Sequence, residues 1–346
     1  FKDKIITFVV VKLLRKILSP FVPLYYVVVF LRNKLYDWSF FKSKSYEFPL
    51  ICVGNISVGG TGKTPMVEYL VSILNKNHQL AILSRGYGRV SKGFVIAGLQ
   101  TTSKAIGDEP FQIFNKFKDV IVAVDSDRQN GLELLKQHHP STDVILLDDA
   151  FQHRKVLAGF NILLTAYDHL YCDDYVLPTG NLREPKSGAK RAQLIVVTKC
   201  PENLSELDKT AITKRLNPAS NQAVFFSSIQ YSDTLISSDS SRALADLKGT
   251  YFTLVTGIAN PTPLVKYLKN LGLDFEHLNY KDHHEFSISE LEFIHSKPLV
   301  LTTEKDFSRL NPKAHNRLFY LPIQLTIDKA EEFERLVVSY VKRYEA

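Results

Sequence analysis

The sequence predicts an α/β protein with a parallel sheet covered by helices, a second and smaller α/β lobe, and a helical arm at the N-terminus. Short apolar runs rich in β-branched residues alternate with longer amphipathic stretches, as is typical of parallel sheets buried on both faces. The alternation begins again after about residue 220, and the first 45 residues have a composition of their own. We therefore predict an arm at 1–45, a main lobe at 46–220 and a smaller lobe at 221–346 that closes the cleft between them.

The composition of the 346 residues excludes several classes of protein. With 45% hydrophobic and 23% charged residues the chain is too apolar to be disordered, and 16 Gly and 15 Pro are too few for a collagen-like protein. Apolar runs of membrane-spanning length do not recur, which excludes a polytopic membrane protein. The three cysteines, Cys52, Cys172 and Cys200, lie far apart in the sequence, which argues against a disulfide framework or a zinc site.

The net charge of +7 belongs entirely to the N-terminal arm. Residues 1–45 hold nine basic and two acidic side chains, whereas the rest of the chain holds 34 of each. The electrical balance of that remainder disfavours a nucleic-acid-binding protein. Two prolines, Pro20 and Pro23, interrupt the second apolar run of the arm, which is too short to cross a bilayer comfortably.

Three interpretations of the arm compete. A cleaved signal peptide would carry its charges before the apolar run and a small-residue site after it, and neither pattern is clean here. A buried hairpin within the core is the second interpretation. The third is a pair of interfacial helices held by apolar burial and by attraction of the basic side chains to anionic lipid, and the rings of Tyr25, Tyr26, Tyr36 and Trp38 fit it. We therefore predict that the arm lies on a membrane surface rather than through it.

Individual strands and helices can be predicted in both lobes. The main lobe is expected to have strands at Leu50–Gly54, Leu80–Leu83, Val120–Val124, Val144–Leu147, Asn161–Leu164 and Leu194–Thr198, and helices over Pro65–Leu74, Pro110–Asn115 and Gly131–His138. The second lobe is expected to have strands at Val224–Ser227, Phe252–Val255 and Leu299–Thr302, and helices over Pro263–Leu271 and Ala330–Arg343. The polar stretch Ser232–Ser241 is expected to be a surface loop near the junction.

The clearest motif is Ser57-Val-Gly-Gly-Thr-Gly-Lys-Thr64, which follows a predicted strand and precedes an amphipathic helix. It is a P-loop with Ser57 in place of the leading glycine, so the main lobe is expected to be P-loop NTPase-like. Its backbone N–H groups can face phosphate oxygens, Lys63 can reach the β- and γ-phosphates, and the Thr64 hydroxyl can ligate Mg²⁺. The predicted phosphate-binding residues are Ser57, Val58, Gly59, Gly60, Thr61, Gly62, Lys63 and Thr64.

A P-loop protein also needs a carboxylate at the end of a neighbouring buried strand to hold its magnesium ion. The run Val144–Leu147 is followed by Asp148 and Asp149, which is the expected pattern. Because consecutive strand residues face opposite ways, one of the two carboxylates is expected at the metal and the other to face elsewhere. Together the two motifs predict a Mg-nucleotide site without naming the acceptor of the phosphate.

Eight short motifs follow one another along the chain: Asn55–Pro65, Leu83–Arg89, Gly107–Pro110, Leu147–Arg154, Leu177–Pro185, Gly257–Pro261, Asp282–His283 and Thr302–Asp306. In this order they resemble one family, the tetraacyldisaccharide 4′-kinases of lipid A biosynthesis in Gram-negative bacteria. The resemblance runs from the arm to about residue 310, which is nearly the whole chain.

The resemblance implies a reaction and a location. Members of that family transfer the γ-phosphate of ATP to the 4′-hydroxyl of a tetraacyl disaccharide 1-phosphate, an anionic acylated lipid, at the cytoplasmic face of the bacterial inner membrane. It also implies Asp108 as the general base with His283 as its partner, although the adjacent His284 leaves that assignment open by one position. It assigns Mg²⁺ to Asp148 and Asp149, and it puts Arg183 near the reacting phosphates. Neither a nucleic acid nor an obligate protein partner is implied.

Each of these side chains also has a purely structural interpretation. Asp108 could cap the helix that follows it, and His283 could be a solvated loop residue. Arg183 could pair with Glu184 instead of a phosphate. Three residues that follow Asp148 and Asp149 closely in the sequence could line the acceptor site or merely cover a turn: Gln152, His153 and Arg154.

Two other functions are compatible with a P-loop. A GTPase or a metallochaperone NTPase would share the glycine-rich loop and Asp148, but Thr198-Lys-Cys-Pro201 lacks the aspartate with which guanine-specific proteins bind the base. A membrane-associated nucleotide sensor would need no base at Asp108. Phosphate transfer to the lipid separates both alternatives from a kinase.

Overall fold

The computed structural model describes residues 17–282, 284–310 and 317–345. Within these ranges the strands form two sheets, of nine and six strands. In chain order the strands are β1 (Leu50–Gly54), β2 (Leu80–Ser84), β3 (Val95–Ile96), β4 (Ile121–Val124), β5 (Val144–Asp148), β6 (Phe160–Ala166), β7 (Leu194–Thr198), β8 (Ala223–Tyr231), β9 (Thr234–Ile236), β10 (Ser241–Ala243), β11 (Phe252–Thr256), β12 (Phe275–Asn279), β13 (Val300–Thr303), β14 (Leu318–Leu321) and β15 (Ile323–Ile327). The six strands predicted before residue 200 are all present.

Ten α-helices accompany the strands in the described ranges. They are α1 (Val22–Asp37), α2 (Lys63–Leu74), α3 (Ser103–Ile106), α4 (Asp108–Lys116), α5 (Arg128–His138), α6 (Glu206–Leu216), α7 (Thr262–Asn270), α8 (Ile288–His295), α9 (Glu304–Phe307) and α10 (Ala330–Lys342).

The nine-stranded sheet has the order β15-β8-β7-β6-β1-β5-β2-β4-β3 and is parallel except at its two edge strands. Strands β1, β2, β5 and β7 are buried along their whole length, which explains their continuous apolar sequences. Strand β1 is central and pairs in parallel with β5 on one side and β6 on the other. The chain order reverses at β1, and the crevice at the carboxyl ends of the strands is where such sheets bind ligands.

Helices cover both faces of this sheet. On one face, α2 and α10 pack their apolar stripes, including Met66, Leu70, Phe333 and Val337, against the strands. On the other face, α5 and α6 do the same with Leu132 and Ile212 among others. The predicted α/β class is confirmed.

The six-stranded sheet forms the smaller lobe, with the order β10-β9-β14-β13-β11-β12. Its core contains Leu254 and Leu301 from the strands and Leu264 and Leu268 from α7. The division between the sheets differs from the boundary predicted at residue 220. Strands β8 and β15 complete the larger sheet as an antiparallel pair, and α10 packs on that sheet through fully buried Phe333. A local pattern could not reveal that the end of the chain returns to the first lobe.

The stretch Ser232–Ser241 is also more ordered than the predicted loop. It contains β9 and leads into β10, and the two strands pair in antiparallel fashion. Leu235 is 1% exposed and anchors the pair in the core of the smaller lobe, whereas the polar residues around it stay at the surface. The prediction of a plain loop was wrong because a single buried leucine is a weak signal among eight polar residues.

The described part of the arm is dominated by α1, which begins at Val22 with Pro23 in its first turn, where the missing N–H is tolerated. The first predicted helix of the arm lies largely outside the described residues. Several apolar side chains of the arm are largely exposed, among them Phe21, Leu24, Val28 and Leu31. No helix among the described residues is long and apolar enough to span a membrane.

Candidate active site

The P-loop connects the end of β1 to the start of α2. Gly62 precedes the helix with a φ of +84°, in the left-handed region that glycine adopts without strain. Thr61 is buried, and its hydroxyl accepts a hydrogen bond of 2.7 Å from the side-chain amide of Asn55. Ser57 and Val58 contact the segment around residue 182, where the Val58 N–H donates to the carbonyl oxygen of Asn181 at 2.7 Å.

The end of β7 supports the same loop from the other side. The Thr198 hydroxyl donates to the Thr61 carbonyl oxygen at 2.8 Å, and Lys199 Nζ donates to the carbonyl oxygen of Gly60. The loop is therefore fixed by neighbouring strands, as a phosphate site that must be preorganised requires.

A cavity of about 870 Å³ lies at the carboxyl ends of β1, β2 and β5 and is bounded on one side by the smaller lobe. The smaller lobe contributes Ile258, Ala259, Asp282 and Lys305 to its walls. Of the residues predicted from the sequence, the cavity is lined by Gly59, Gly60, Lys63, Asp108, Asp148, Asp149, Gln152, His153 and Arg183. Thr64 lies in the first turn of α2 beside this group, and Arg154 lines a smaller cavity against α1.

Asp148 is the last residue of β5 and is 3% exposed. Its Oδ2 accepts a hydrogen bond of 3.1 Å from the Ser84 hydroxyl, while its buried Oδ1 has no hydrogen-bond partner. Burial and then the charge of Glu109 raise the pKa of Asp148 to about 7, although Lys63 opposes both effects. A buried carboxylate with an unsatisfied oxygen costs free energy, so this group is suited to receive a cation.

Asp149 follows with a φ of +48° and its carboxylate faces two cations. Its Oδ2 lies 3.6 Å from Lys63 Nζ, and Arg183 Nη1 donates to its two oxygens at 3.0 and 3.2 Å. Arg183 does not pair with Glu184, which instead binds Arg191 through two hydrogen bonds of 2.8 Å. The two carboxylates have different partners, but both line the same cavity. The expectation that one of them faces elsewhere is not met, because Asp149 lies beyond the end of β5 with a positive φ and does not continue the strand alternation.

The residues present fit a magnesium ion that arrives with a nucleotide. Thr64, Asp148 and Asp149 supply the hard oxygen ligands that Mg²⁺ prefers, and the unpartnered Oδ1 of Asp148 is one such atom. No group of three or more His, Cys, Asp or Glu side chains in the described ranges could hold a metal by itself. This agrees with the usual arrangement in which phosphates and water complete the magnesium shell.

Asp108 is the first residue of α4 and lines the same cavity as the P-loop residues Gly59, Gly60 and Lys63. The N-cap position of the helix is occupied by Gly107, so Asp108 is not the N-cap residue. Gly107 has a φ of +94°, and a Cβ there would lie 2.9 Å from the Tyr87 carbonyl oxygen. Asp108 Oδ2 accepts instead from Arg309 Nη2 of the smaller lobe.

The two candidate histidines differ. His283 lies outside the described residues, so its role stays a prediction. His284 turns away from the cleft, because its Nε2 lies 3.1 Å from both carboxylate oxygens of Glu290 on α8 and its ring stacks on Tyr280. Asp282 lines the cavity and pairs with Lys305 at 3.6 Å.

The segment Gln152–Arg154 connects the cavity to the arm. Gln152 Nε2 donates to the carbonyl oxygen of Asn55 at 2.7 Å and to Glu184 at 2.9 Å, so its position is fixed. Burial and then the charge of Arg128 lower the pKa of His153, which favours the neutral ring. Arg154 reaches the arm, donating to the Asn33 carbonyl oxygen at 2.7 Å and pairing with Asp37 at 2.8 Å.

Three residues of the site have no counterpart in the sequence predictions. Arg128 lines the cavity and donates to the backbone oxygen of Asp148, Lys199 contacts the P-loop, and Arg309 contacts Asp108. Lys199 lies in Thr198-Lys-Cys-Pro201, a segment whose sequence indicates only an incomplete base-binding motif. Arg309 follows the motif Thr302–Asp306 by three residues, so proximity to that motif was the one available signal.

Comparisons with known proteins agree with this geometry. The family model of the tetraacyldisaccharide-1-P 4′-kinases matches residues 14–342. The chain belongs to this family. A tetraacyldisaccharide 4′-kinase of Flavobacterium johnsoniae is 48% identical over 335 residues, which cover 95% of this chain and 98% of that protein. The Bacteroides thetaiotaomicron enzyme of the same name is 43% identical over 356 residues, covering 95% of this chain and 94% of that one.

A solved structure of the tetraacyldisaccharide-1-P 4′-kinase family is also similar. The crystal structure of LpxK from Aquifex aeolicus in complex with ATP matches with a TM-score of 0.79 and 33% sequence identity, covering 95% of this chain and 99% of that one. At this similarity both the fold and the nucleotide-binding lobe are shared. The membership confirms the family that the eight ordered motifs predicted.

Proposed function

We propose that this family member transfers the γ-phosphate of ATP to the 4′-hydroxyl of a tetraacyldisaccharide 1-phosphate. The observation that carries the proposal is the single cavity that joins Lys63, the Asp148–Asp149 pair and Asp108. Phosphoryl transfer needs a phosphate cradle, a metal site and a proton acceptor for the attacking hydroxyl, and these residues are of the three required kinds. The relatives' names support the lipid disaccharide as acceptor.

In this mechanism Asp108 accepts the proton of the 4′-hydroxyl as that oxygen attacks the γ-phosphate. Lys63 and Arg183 stabilise the negative charge that the phosphate oxygens carry in the transition state. Both cations contact Asp149, so a phosphate at this site would share them with that carboxylate. His283 is proposed to assist Asp108 by orienting it or sharing its proton.

Magnesium would be held by Thr64, Asp148 and Asp149. When bound, it would neutralise part of the negative charge of the nucleotide phosphates. Asp148 would have to be ionised to take part, and because its pKa is raised to about 7, a cation at this site would compete with a proton near neutral pH.

The acceptor is proposed to enter between the arm and the smaller lobe. Gln152 and His153 line the cavity on the side of α1, and Arg154 joins that wall to the arm. The Tyr25 hydroxyl donates to the Arg183 carbonyl oxygen at 2.8 Å, and Asn33 donates to Glu184 at 2.9 Å. An arm so close to the reacting groups is well suited to bring a lipid headgroup to them.

The test of the function is a direct one. The full chain with Mg-ATP and the tetraacyldisaccharide 1-phosphate in mixed micelles should form a bisphosphorylated lipid, which thin-layer chromatography resolves from the substrate. ATP hydrolysis without transfer would contradict the proposal and favour an NTPase of the metallochaperone or sensor type, for which the comparisons give no support.

We further propose that the protein binds peripherally to the cytoplasmic face of the bacterial inner membrane through its arm. The exposed apolar side chains of α1 and the basic composition of residues 1–45 support this. Deleting the arm is a poor test, because α1 also contacts the backbone and side chains next to the site.

A cleaner test introduces two negatively charged side chains on the exposed face of α1. The double substitution Leu24→Glu and Val28→Glu should lower binding to vesicles of anionic phospholipid by at least about tenfold, because each removes apolar burial and adds repulsion. Leu207→Glu, at an 83% exposed position on α6, is the matched control and should bind as the wild type does. Equal sedimentation of all three proteins with the vesicles would contradict the membrane role of α1.

A further inference from the structure

Arg309 is a basic residue of the smaller lobe whose side chain contacts Asp108, one of the residues that line the cavity. It lies in the 3₁₀ turn Ser308–Leu310 directly after α9, and its side chain is 9% exposed. Its Nη1 donates to Asp306 Oδ1 at 3.1 Å and its Nη2 donates to Asp108 Oδ2. One planar guanidinium therefore contacts a carboxylate of each lobe. Arg309 and Asp108 are 201 positions apart in the chain.

The partner on its own lobe holds Arg309 in a fixed orientation. Asp306 is fully buried, its Oδ2 accepts from the Gly257 N–H at 2.8 Å, and the same oxygen accepts from the Thr303 hydroxyl at 2.8 Å. Gly257 begins the loop whose next residues line the cavity. Contacts within the smaller lobe therefore fix the guanidinium independently of its contact with Asp108.

A second contact joins the lobes at the other end of α4. Lys116 Nζ pairs with Glu68 of α2 at 2.7 Å and with Glu304 of α9 at 3.1 Å. Both acidic side chains are nearly buried, at 8% and 11% exposed. The short segment 304–310 therefore contacts helix α4 at its first residue, Asp108, and at its last, Lys116.

We propose that Arg309 is a positioning residue for Asp108, so that the base is correctly oriented only while the smaller lobe is docked on α4. The inference rests on the proposed kinase function and on the base role of Asp108. The hydrogen bond from Arg309 to Oδ2 fixes the rotation of the Asp108 carboxylate, which leaves its other oxygen in a defined direction towards the hydroxyl whose proton it would accept.

The alternative is that Arg309 merely joins the lobes. An interlobe ion pair of that kind would affect thermal stability and substrate binding, and its loss would change KM and the unfolding midpoint rather than kcat. A positioning residue for the base acts on kcat, so the two interpretations differ in how the effect divides between kcat, KM and the unfolding midpoint.

The experiment compares five full-length variants with the wild type: Arg309→Gln, Arg309→Lys, Asp108→Asn, the double variant Arg309→Gln/Asp108→Asn, and Arg242→Gln. The last is the control, since Arg242 pairs with Asp246 at the surface of the same lobe. The measured quantities are kcat, KM for ATP and for the lipid, and the thermal unfolding midpoint. Arg309→Lys keeps a charge but cannot bridge two carboxylates with a planar fork, and it provides a readout if the glutamine variant does not fold.

We expect Arg309→Gln to lower kcat by about 10- to 100-fold with KM for ATP changed less than about threefold, and Arg309→Lys to recover part of the loss. In the Asp108→Asn background the further loss from Arg309→Gln should be less than about twofold. An equal loss in both backgrounds, a change in KM alone, or a kcat equal to that of Arg242→Gln would each overturn the inference. Wild-type kcat in Asp108→Asn would overturn it through the base role, and absence of lipid phosphorylation by the wild type would overturn the proposed function itself.

Discussion

Replacing Asp108 with asparagine should lower kcat for lipid phosphorylation by about 10²- to 10⁴-fold, the range that a general base contributes. Asparagine has the same shape but cannot take up a proton, so the attacking hydroxyl would have to lose its proton to water. The P-loop and Lys63 line the same cavity but belong to a different segment of the chain and are not altered. The dissociation constant for ATP, measured by calorimetry on the same protein, should therefore change by less than about threefold.

Two further measurements make this prediction specific to the base. Asp119→Asn changes an exposed aspartate just beyond α4 and should leave kcat and ATP binding at wild-type values. Circular dichroism of both variants would show whether α4 is retained, since Asp108 is its first residue. Wild-type turnover by Asp108→Asn would exclude it as the base and leave Glu109, Asp282 and the carboxylates of the metal site as the remaining acidic groups of the cavity.

The sequence was sufficient for those parts of the site that are made by consecutive residues. A strand, a glycine-rich loop and a helix follow one another between Leu50 and Leu74, and the physics of such a unit is local: glycines permit the turn, and the helix N-terminus attracts the phosphate. The same holds for Asp148 and Asp149, because a buried strand that ends in carboxylates has a recognisable pattern. These predictions depend on no contact between distant parts of the chain.

The parts that could not be predicted all depend on such contacts. Arg309 and Asp108 are 201 positions apart, and Lys116 and Glu304 are 188 apart, so no spacing rule connects them. The return of β15 and α10 to the larger sheet has the same cause, because their apolar patterns fit either lobe equally well. Arg154 illustrates a different limit: the motif left open whether its side chain lined the cleft or covered a turn, and its contacts with Asn33 and Asp37 depend on where α1 packs.

The arm and the cleft are connected through these long-range contacts, which gives the net charge of +7 a structural context. The basic excess is confined to residues 1–45, and α1 contacts the backbone of Arg183, whose side chain holds Asp149. A lipid surface under the arm would therefore lie beside the groups that handle phosphate. The electrically balanced remainder of the chain is consistent with a catalytic body that makes no such surface contact itself.

Replacing Lys63 with alanine should lower kcat by about 10²- to 10³-fold, or about 3–4 kcal/mol of transition-state stabilisation, as is found when one preorganised donor to a developing oxyanion is removed. Lys63 is the first residue of α2, and its side chain is only 12% exposed, so water screens its charge little. Lys63→Arg should recover only a small part of the rate, since the broad guanidinium does not replace a compact point charge in a glycine-rich loop. Lys76→Ala, an exposed position beyond the other end of α2, is the matched control and should retain wild-type kcat.

The same substitution should also change how magnesium dependence varies with pH. Lys63 lowers the pKa of Asp148 against the effects of burial and of Glu109, so its removal raises that pKa above the value of about 7. A carboxyl group that is protonated to higher pH binds Mg²⁺ less well at neutral pH, and the Mg²⁺ concentration for half-maximal residual activity should therefore rise at pH 7 but converge on the wild-type value near pH 9. A Mg²⁺ requirement that rises equally at both pH values would mean that Lys63 acts on the nucleotide alone, and an unchanged kcat would remove the P-loop lysine from the mechanism.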